Sequence, residues 1–259
     1  MSKHRKHPGW VPDQHGAWAM LITPLVIGAV HRSRVDQLPA WLPALTVTWL
    51  AGYFCFNAAT LTAKSAPRRR PALRRPLVTY AAIAIVAGMS TLLLGGWALL
   101  WWLPCYAVLM VPALALAARR RDRSLISGLL TVTAASLILP AVWWTTPQRM
   151  VQTASAAELM LVLGVWAYFA GTVFHVKSMI RKKGSRRWWL TSVAFHLVWM
   201  AVFSLAGTIT GWGWMVFFAL ATLRAIVLPQ LGLRMRVRPL HVGLLEIALS
   251  IWLLAISVL

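Results

Sequence analysis

The sequence predicts an all-α fold, a polytopic membrane helix bundle of about nine transmembrane helices. Three observations carry that prediction. Of the 259 residues, 59% are hydrophobic and only 12% charged, too little polar surface for a soluble domain of this size. The apolar residues fall into runs long enough to cross a bilayer. The 26 Lys+Arg, set against 5 Asp+Glu, cluster between those runs. A net charge of +21 in a globular protein would suggest nucleic acid. Basic residues placed between apolar runs mark membrane topology instead, so nucleic acid is not an expected partner.

Each element follows from its run. The stretch at 16–30 is short and contains Pro24, but basic residues flank it on both sides. Lys3, Arg5 and Lys6 before it imitate a secretory signal, yet it ends in His31-Arg32-Ser33-Arg34 with no small-x-small cleavage site, so it is read as retained. Spanning runs follow near 41–63, 77–94, 97–118, 124–144, 157–176, 188–208, 212–228 and 240–259. In lipid only helices satisfy the backbone polar groups of such isolated segments. Two connections, Gly95-Gly96 and Gly207 to Gly213, are tight and uncharged. The whole chain, 1–259, reads as a single integral membrane domain with a cytoplasmic N-terminal segment at 1–15.

Charge orients the runs. With the N-terminus inside, every Lys and Arg except Arg32, Arg34 and Arg149 lies on the cytoplasmic side. The basic groups there are Lys3 to Lys6, Lys64 to Arg75, Arg119 to Arg123, Lys177 to Arg187 and Arg224 to Arg238. This obeys the positive-inside rule only if the number of spans is odd and near nine, with the C-terminus outside. Trp41, Trp97, Trp101, Trp102, Trp143, Trp144, Trp212 and Trp214 then fall near the outer face, where Trp is expected to anchor at the water–lipid interface. Cys55 and Cys105 lie inside apolar runs, so neither a disulfide framework nor a metal site is expected.

Two cytoplasmic ends share a pattern. The second run leaves as Lys64-Ser65-Ala66-Pro67-Arg68-Arg69-Arg70, and the sixth as Lys177-Ser178-Met179-Ile180-Arg181-Lys182-Lys183. Basic residues at inward helix ends explain part of the match; an internal duplication with a shared site is the alternative.

Two further blocks carry a family resemblance. Pro12-Asp13-Gln14-His15-Gly16-Ala17-Trp18-Ala19-Met20 and Ala170-Gly171-Thr172-Val173-Phe174-His175-Val176-Lys177-Ser178-Met179-Ile180-Arg181 resemble the YwiC-like family of bacterial membrane proteins. The resemblance covers nearly the whole chain and implies a multi-pass protein of the bacterial cytoplasmic (inner) membrane. It brings no biochemical activity with it. The layout is also similar to the UbiA superfamily of intramembrane prenyltransferases, which implies nine helices and a UbiA-like arrangement with active-site motifs after helices two and six. Those motifs are Asp-rich because carboxylates hold Mg²⁺ on a prenyl diphosphate. Here the matching stretches read Phe56-Asn57-Ala58-Ala59-Thr60-Leu61-Thr62-Ala63-Lys64 and Gly171-Thr172-Val173-Phe174-His175-Val176-Lys177. Asn57 alone survives and no aspartate occurs in either. Mg²⁺-dependent prenyl transfer is therefore not expected, nor is any metal or other cofactor, and the similarity concerns architecture.

Ionisable residues inside a membrane are costly and point to function. Glu246 is the one acid well inside a run, about 10 Å from the inner end of the last helix at 1.5 Å per residue. Arg224, His196, His175, Lys177, Asn57 and Lys64 all fall in the cytoplasmic halves of their runs, and Gln14 and His15 open the first. As a ligand-binding set, these nine residues are expected to converge on a metal-free cytoplasmic-side cavity. Cations there would hold an anionic lipid or isoprenoid phosphate headgroup directly. Each residue also has a structural reading. Glu246 with Arg224 would equally serve as a pair fixing helix register. His196 suits an interhelical hydrogen bond, and the Arg clusters suit topology and headgroup contacts. Two rival functions remain: a secondary transporter or ion-coupled carrier using Glu246, and a non-catalytic membrane assembly subunit. No catalytic residue is assigned.

Overall fold

The computed structural model describes residues 9–12, 17–234 and 239–259, and every regular element among them is helical. In chain order these are α1 (Ala17–Val35), α2 (Leu42–Lys64), α3 (Arg70–Leu93), α4 (Leu103–Ala118), α5 (Leu125–Ser136), α6 (Ile138–Trp144) and α7 (Pro147–Thr153). They continue as α8 (Ala156–Val176), α9 (Arg186–Leu205), α10 (Gly207–Thr210), α11 (Trp212–Arg234) and α12 (Pro239–Val258). Seven stretches among the described residues are long and apolar enough to cross a membrane, which makes this a multi-pass membrane protein. They are α2, α3 with the turn before it, α4 with the 3₁₀ segment before it, α5–α6 together, α8 with the turn after it, α9 and α11. α1 and α12 are helical over the two remaining apolar runs. Arg32 and Arg34 sit in the last turn of α1, and the apolar part of α12 is the shorter segment Gly243–Val258.

Local sequence explains the breaks. Pro140 has no N–H for the carbonyl of Ser136, four residues back, and the helix is interrupted at Leu137 between α5 and α6. Gly95 takes φ +97°, a left-handed conformation open to glycine, and lets α3 turn into the 3₁₀ segment Gly96–Trp102. α8 opens with a capping box: Ser155 Oγ accepts from Glu158 N at 3.3 Å, and Glu158 Oε2 accepts from Ser155 N at 2.7 Å.

The chain forms two compact units, one built on Val35–Thr131 and one on α1 up to Arg34 with Val132–Leu259. In the first, α2 packs along α3 and against α4. The Tyr80 hydroxyl donates to Trp10 O at 2.7 Å, and the two rings meet edge to face, fixing residues 9–12 on α3. In the second unit Tyr168, Phe169, Phe203, Phe217 and Phe218 are wholly buried. Gly28 of α1 lies so close to α6 that an added Cβ would stand 2.7 Å from Leu139 O.

The Trp residues expected near the outer face divide by burial. Trp97, Trp101 and Trp212 are exposed, but Trp41, Trp102, Trp143, Trp144 and Trp214 are buried. Trp143 stacks on Trp144 and on His31, and Trp214 on Phe203. Hydropathy places Trp near a helix end; ring packing then decides whether it faces lipid or protein.

Candidate functional site

Gln14 and His15 lie outside the described residues. Asn57 and Lys64 belong to the first unit; His175, Lys177, His196, Arg224 and Glu246 belong to the second.

In the first unit, Lys64 closes α2 and donates to Asp122 Oδ2 at 2.7 Å, its side chain 30% exposed. It is thus already matched to a carboxylate, from the basic segment after α4. Asn57 Nδ2 is buried without a hydrogen-bond partner. The ends of α2 and α8 also differ in backbone despite their shared Lys-Ser pattern. Ala66 precedes Pro67 and is extended, so α2 stops and a 3₁₀ turn follows. After α8, Met179 and Ile180 pose no such block, and the chain continues as a π turn over Lys177–Arg181, closed by Lys182 N on Lys177 O at 2.8 Å. Turns of this kind recur at functional sites.

The second unit holds a buried polar network. Arg224 on α11 donates from Nη1 to Glu246 Oε1 on α12 at 2.5 Å. The arginine side chain is 2% exposed and the glutamate 21%, so the carboxylate is the more accessible partner. Tyr168 on α8 donates its hydroxyl to Glu246 Oε2 at 3.1 Å and lies 3.5 Å from Ser250 Oγ. Its ring also faces the guanidinium, 5.7 Å away. His196 on α9 is anchored by Nδ1 on Ser192 O at 2.7 Å, and its Nε2 lies 3.4 Å from Arg224 Nη2. A carbonyl only accepts and a guanidinium only donates, so His196 carries its proton on Nδ1 and presents a lone pair to the arginine. Gly171 makes this possible: a Cβ there would stand 2.9 Å from His196 Nε2.

Two members of the network are incompletely satisfied. His175 on α8 is wholly buried with neither ring nitrogen hydrogen-bonded, and Arg224 Nε is likewise without a partner. His175 stands within electrostatic range of both Arg224 and His196. Buried polar groups left open are rare because each costs about 1–3 kcal/mol. Groups of three or more His, Cys, Asp or Glu able to hold a metal are absent among the described residues. Lys177 takes no part in the network: its ammonium sits over the Trp188 ring at 4.1 Å.

A cavity of about 310 Å³ is lined by Ser178, Gly184, Ser185, Arg186, Trp189, Pro229, Gln230 and Leu233. Ser178 links the two regions, since its hydroxyl donates to His175 O at 2.8 Å. Pro229 has no N–H for the carbonyl of Ala225 within α11, and Trp189 Nε1 donates to the neighbouring Ile226 O at 3.2 Å. Arg186, assigned from the sequence to topology and surface, is exposed and also lines this cavity. Ser178 belonged to the repeated Lys-Ser pattern without being assigned to the site; Tyr168, Ser192 and Ser250 were not singled out, because a Tyr or Ser within an apolar helix carries no pattern of its own.

A family model described as YwiC-like protein matches residues 11–143. The network residues from Tyr168 onward lie beyond that match. The chain is also 27% identical over 218 residues to a Bacillus subtilis (strain 168) protein named "Uncharacterized protein YwiC", covering 83% of this chain and 84% of that one. No solved structure matches. On the extent of the family match, the chain belongs to the YwiC-like family.

Proposed function

We propose that this protein binds the phosphate of an anionic lipid or isoprenoid headgroup, without a metal, at Arg224 in the second unit. The observation that carries the reading is the unpartnered Nε of a buried arginine. Arg224 Nε has no partner and Nη2 makes only a 3.4 Å contact, while wholly buried His175 nearby has both ring nitrogens free. A guanidinium fork offers parallel donors that match a phosphate, and an imidazole N–H supplies a further one. The cavity with Arg186, Gln230 and Ser185 is the entry, joined to His175 through Ser178 in the π turn that follows α8. This shifts the anion site away from Lys64 and Lys177, which are engaged with Asp122 and Trp188. The reading includes a nine-span topology in the bacterial inner membrane with the N-terminus in and the C-terminus out, supported by the one-sided distribution of Lys and Arg.

Thermal stability of the purified protein in detergent, titrated with a short-chain phosphatidate or a prenyl phosphate, tests this. Stability rises by RT ln(1 + [L]/Kd) if only the folded form binds. Arg224→Lys, which keeps the charge and loses the fork, and His175→Asn should each reduce the shift more than Lys177→Ala. Equal losses from all three would reduce the site to diffuse positive charge, and no shift in the unsubstituted protein would refute the reading.

The ion-coupled carrier rests on a different observation, the placement of Glu246 within α12 and its bond to Arg224.

A further inference from the structure

We infer that anion binding at Arg224 is coupled to the uptake of one proton by Glu246, so that the site takes an anion and a proton together. The inference rests on the anion-binding reading and adds its regulation.

The argument begins with charge. Arg224 is permanently cationic and its side chain is 2% exposed, so it neither loses its proton nor leaves. In the structure its charge is matched by one carboxylate, Glu246, on Nη1. An anion on the unpartnered Nε of Arg224 places a second negative charge on the same guanidinium. Two anions sharing one cation within a few ångströms in a membrane interior cannot both stay ionised without a large cost, and one of them takes up a proton. A phosphodiester remains ionised at all ordinary pH, which leaves Glu246.

Glu246 is also built to hold that proton. Tyr168 now donates to Glu246 Oε2 at 3.1 Å. Once Oε2 is protonated, the phenol oxygen can accept from it. The phenol hydrogen then turns to Glu246 O at 3.4 Å or Ser250 Oγ at 3.5 Å. Both protonation states of the carboxyl thus find a partner without movement of a helix. The balance is one proton from solution added to a carboxylate, with no bond broken elsewhere. The titratable or charged groups described around the pair are Tyr168 and His175 from α8, His196 from α9 and Arg224 from α11. Of these, His175 and His196 are the competing proton acceptors. His196 presents its lone pair to Arg224, where a proton would meet a guanidinium; His175 is separated from Glu246 experimentally.

The experiment is calorimetric titration of the full-length protein in detergent, with heats compared in two buffers of different ionisation enthalpy to count protons. The probes are dimethyl phosphate and short-chain phosphatidylglycerol. Both are phosphodiesters and lack the second ionisation of a monoester near about pH 6. Binding of both assigns a free-phosphate chemistry, and binding of the lipid alone assigns a headgroup. Near neutral pH we expect close to one proton taken up per anion, with affinity rising about tenfold per unit fall in pH. Glu246→Gln should bind the anion with no proton uptake and little pH dependence, and His175→Asn, though it binds more weakly, should keep the uptake per anion bound. Binding without proton uptake overturns the coupling and leaves the anion site standing. Uptake undiminished in Glu246→Gln overturns the assignment to Glu246. No binding of either probe overturns the site and the coupling together.

Discussion

Removing one member of the Arg224–Glu246 pair at a time should give unequal losses of stability. Stripping one partner from a buried ion pair costs about 3–5 kcal/mol, because the other charge is left buried and uncompensated. The two residues differ in how they escape that penalty. Arginine cannot lose its proton, and its side chain here is 2% exposed, so Glu246→Leu leaves a fixed charge in an apolar interior. That substitution should cost the full 3–5 kcal/mol or about that much. Arg224→Met leaves a carboxylate that can take up a proton and whose side chain is 21% exposed, so it should cost clearly less, about 2 kcal/mol. Replacing both by apolar residues removes the unpaired charge altogether and should bring the protein to within about 1 kcal/mol of the starting stability. The double substitution would then differ from the sum of the singles by about 4 kcal/mol or more. Reversible unfolding in mixed detergent–SDS micelles, analysed as a double-mutant cycle, measures this. Additive losses, or a greater loss from Arg224→Met than from Glu246→Leu, would refute the reasoning that a fixed buried cation sets the energetics.

Packing and topology supply the remaining predictions. Gly164→Ala should lose about 1–3 kcal/mol, because its Cβ would stand 2.3 Å from the Trp214 ring and 2.8 Å from Phe203. Gly52→Ala has open space around it and should be neutral or gain up to about 1 kcal/mol in the same unfolding assay. Ser155→Ala removes the hydroxyl that caps α8 and should lower stability by about 1 kcal/mol, with Ser155→Thr retaining most of it. Cysteines at positions 69 and 182, in a background with Cys55 and Cys105 replaced by Ser, should both be labelled from the cytoplasmic side. Labelling from opposite sides would break the nine-span topology.

Much of the helical architecture was legible in the sequence because a membrane restricts the choices. Apolar runs of spanning length have one soluble-free way to satisfy their backbone, so the run at 41–63 reappears as Leu42–Lys64 and that at 157–176 as Ala156–Val176. Glu246 was legible for a related reason. With 5 acids in the chain, a carboxylate inside an apolar helix had to find a cation, and Arg224 is the one it meets. The Trp residues were less legible: their apolar bodies and polar edges suit an interface and a core equally, and five of the eight placed near one face are buried.

The sequence by itself determined the class of protein, its helical segments and the small set of ionisable residues that lie among apolar neighbours. These depend on hydropathy and charge along the chain, both of which are local quantities. Only the tertiary structure decided which of those residues meet. It set Lys64 on Asp122 and Lys177 on Trp188, and it brought Tyr168, His196, Arg224 and Glu246 from four helices into one network with His175 beside it. The Lys-Ser pattern shared by two helix ends shows the limit of local reading: one end halts at a proline and the other runs on into a π turn. Contacts between helices depend on how each is rotated about its axis. That rotation is fixed by the packing of side chains such as Gly164 under Trp214 and Gly171 under His196, which no single segment specifies alone.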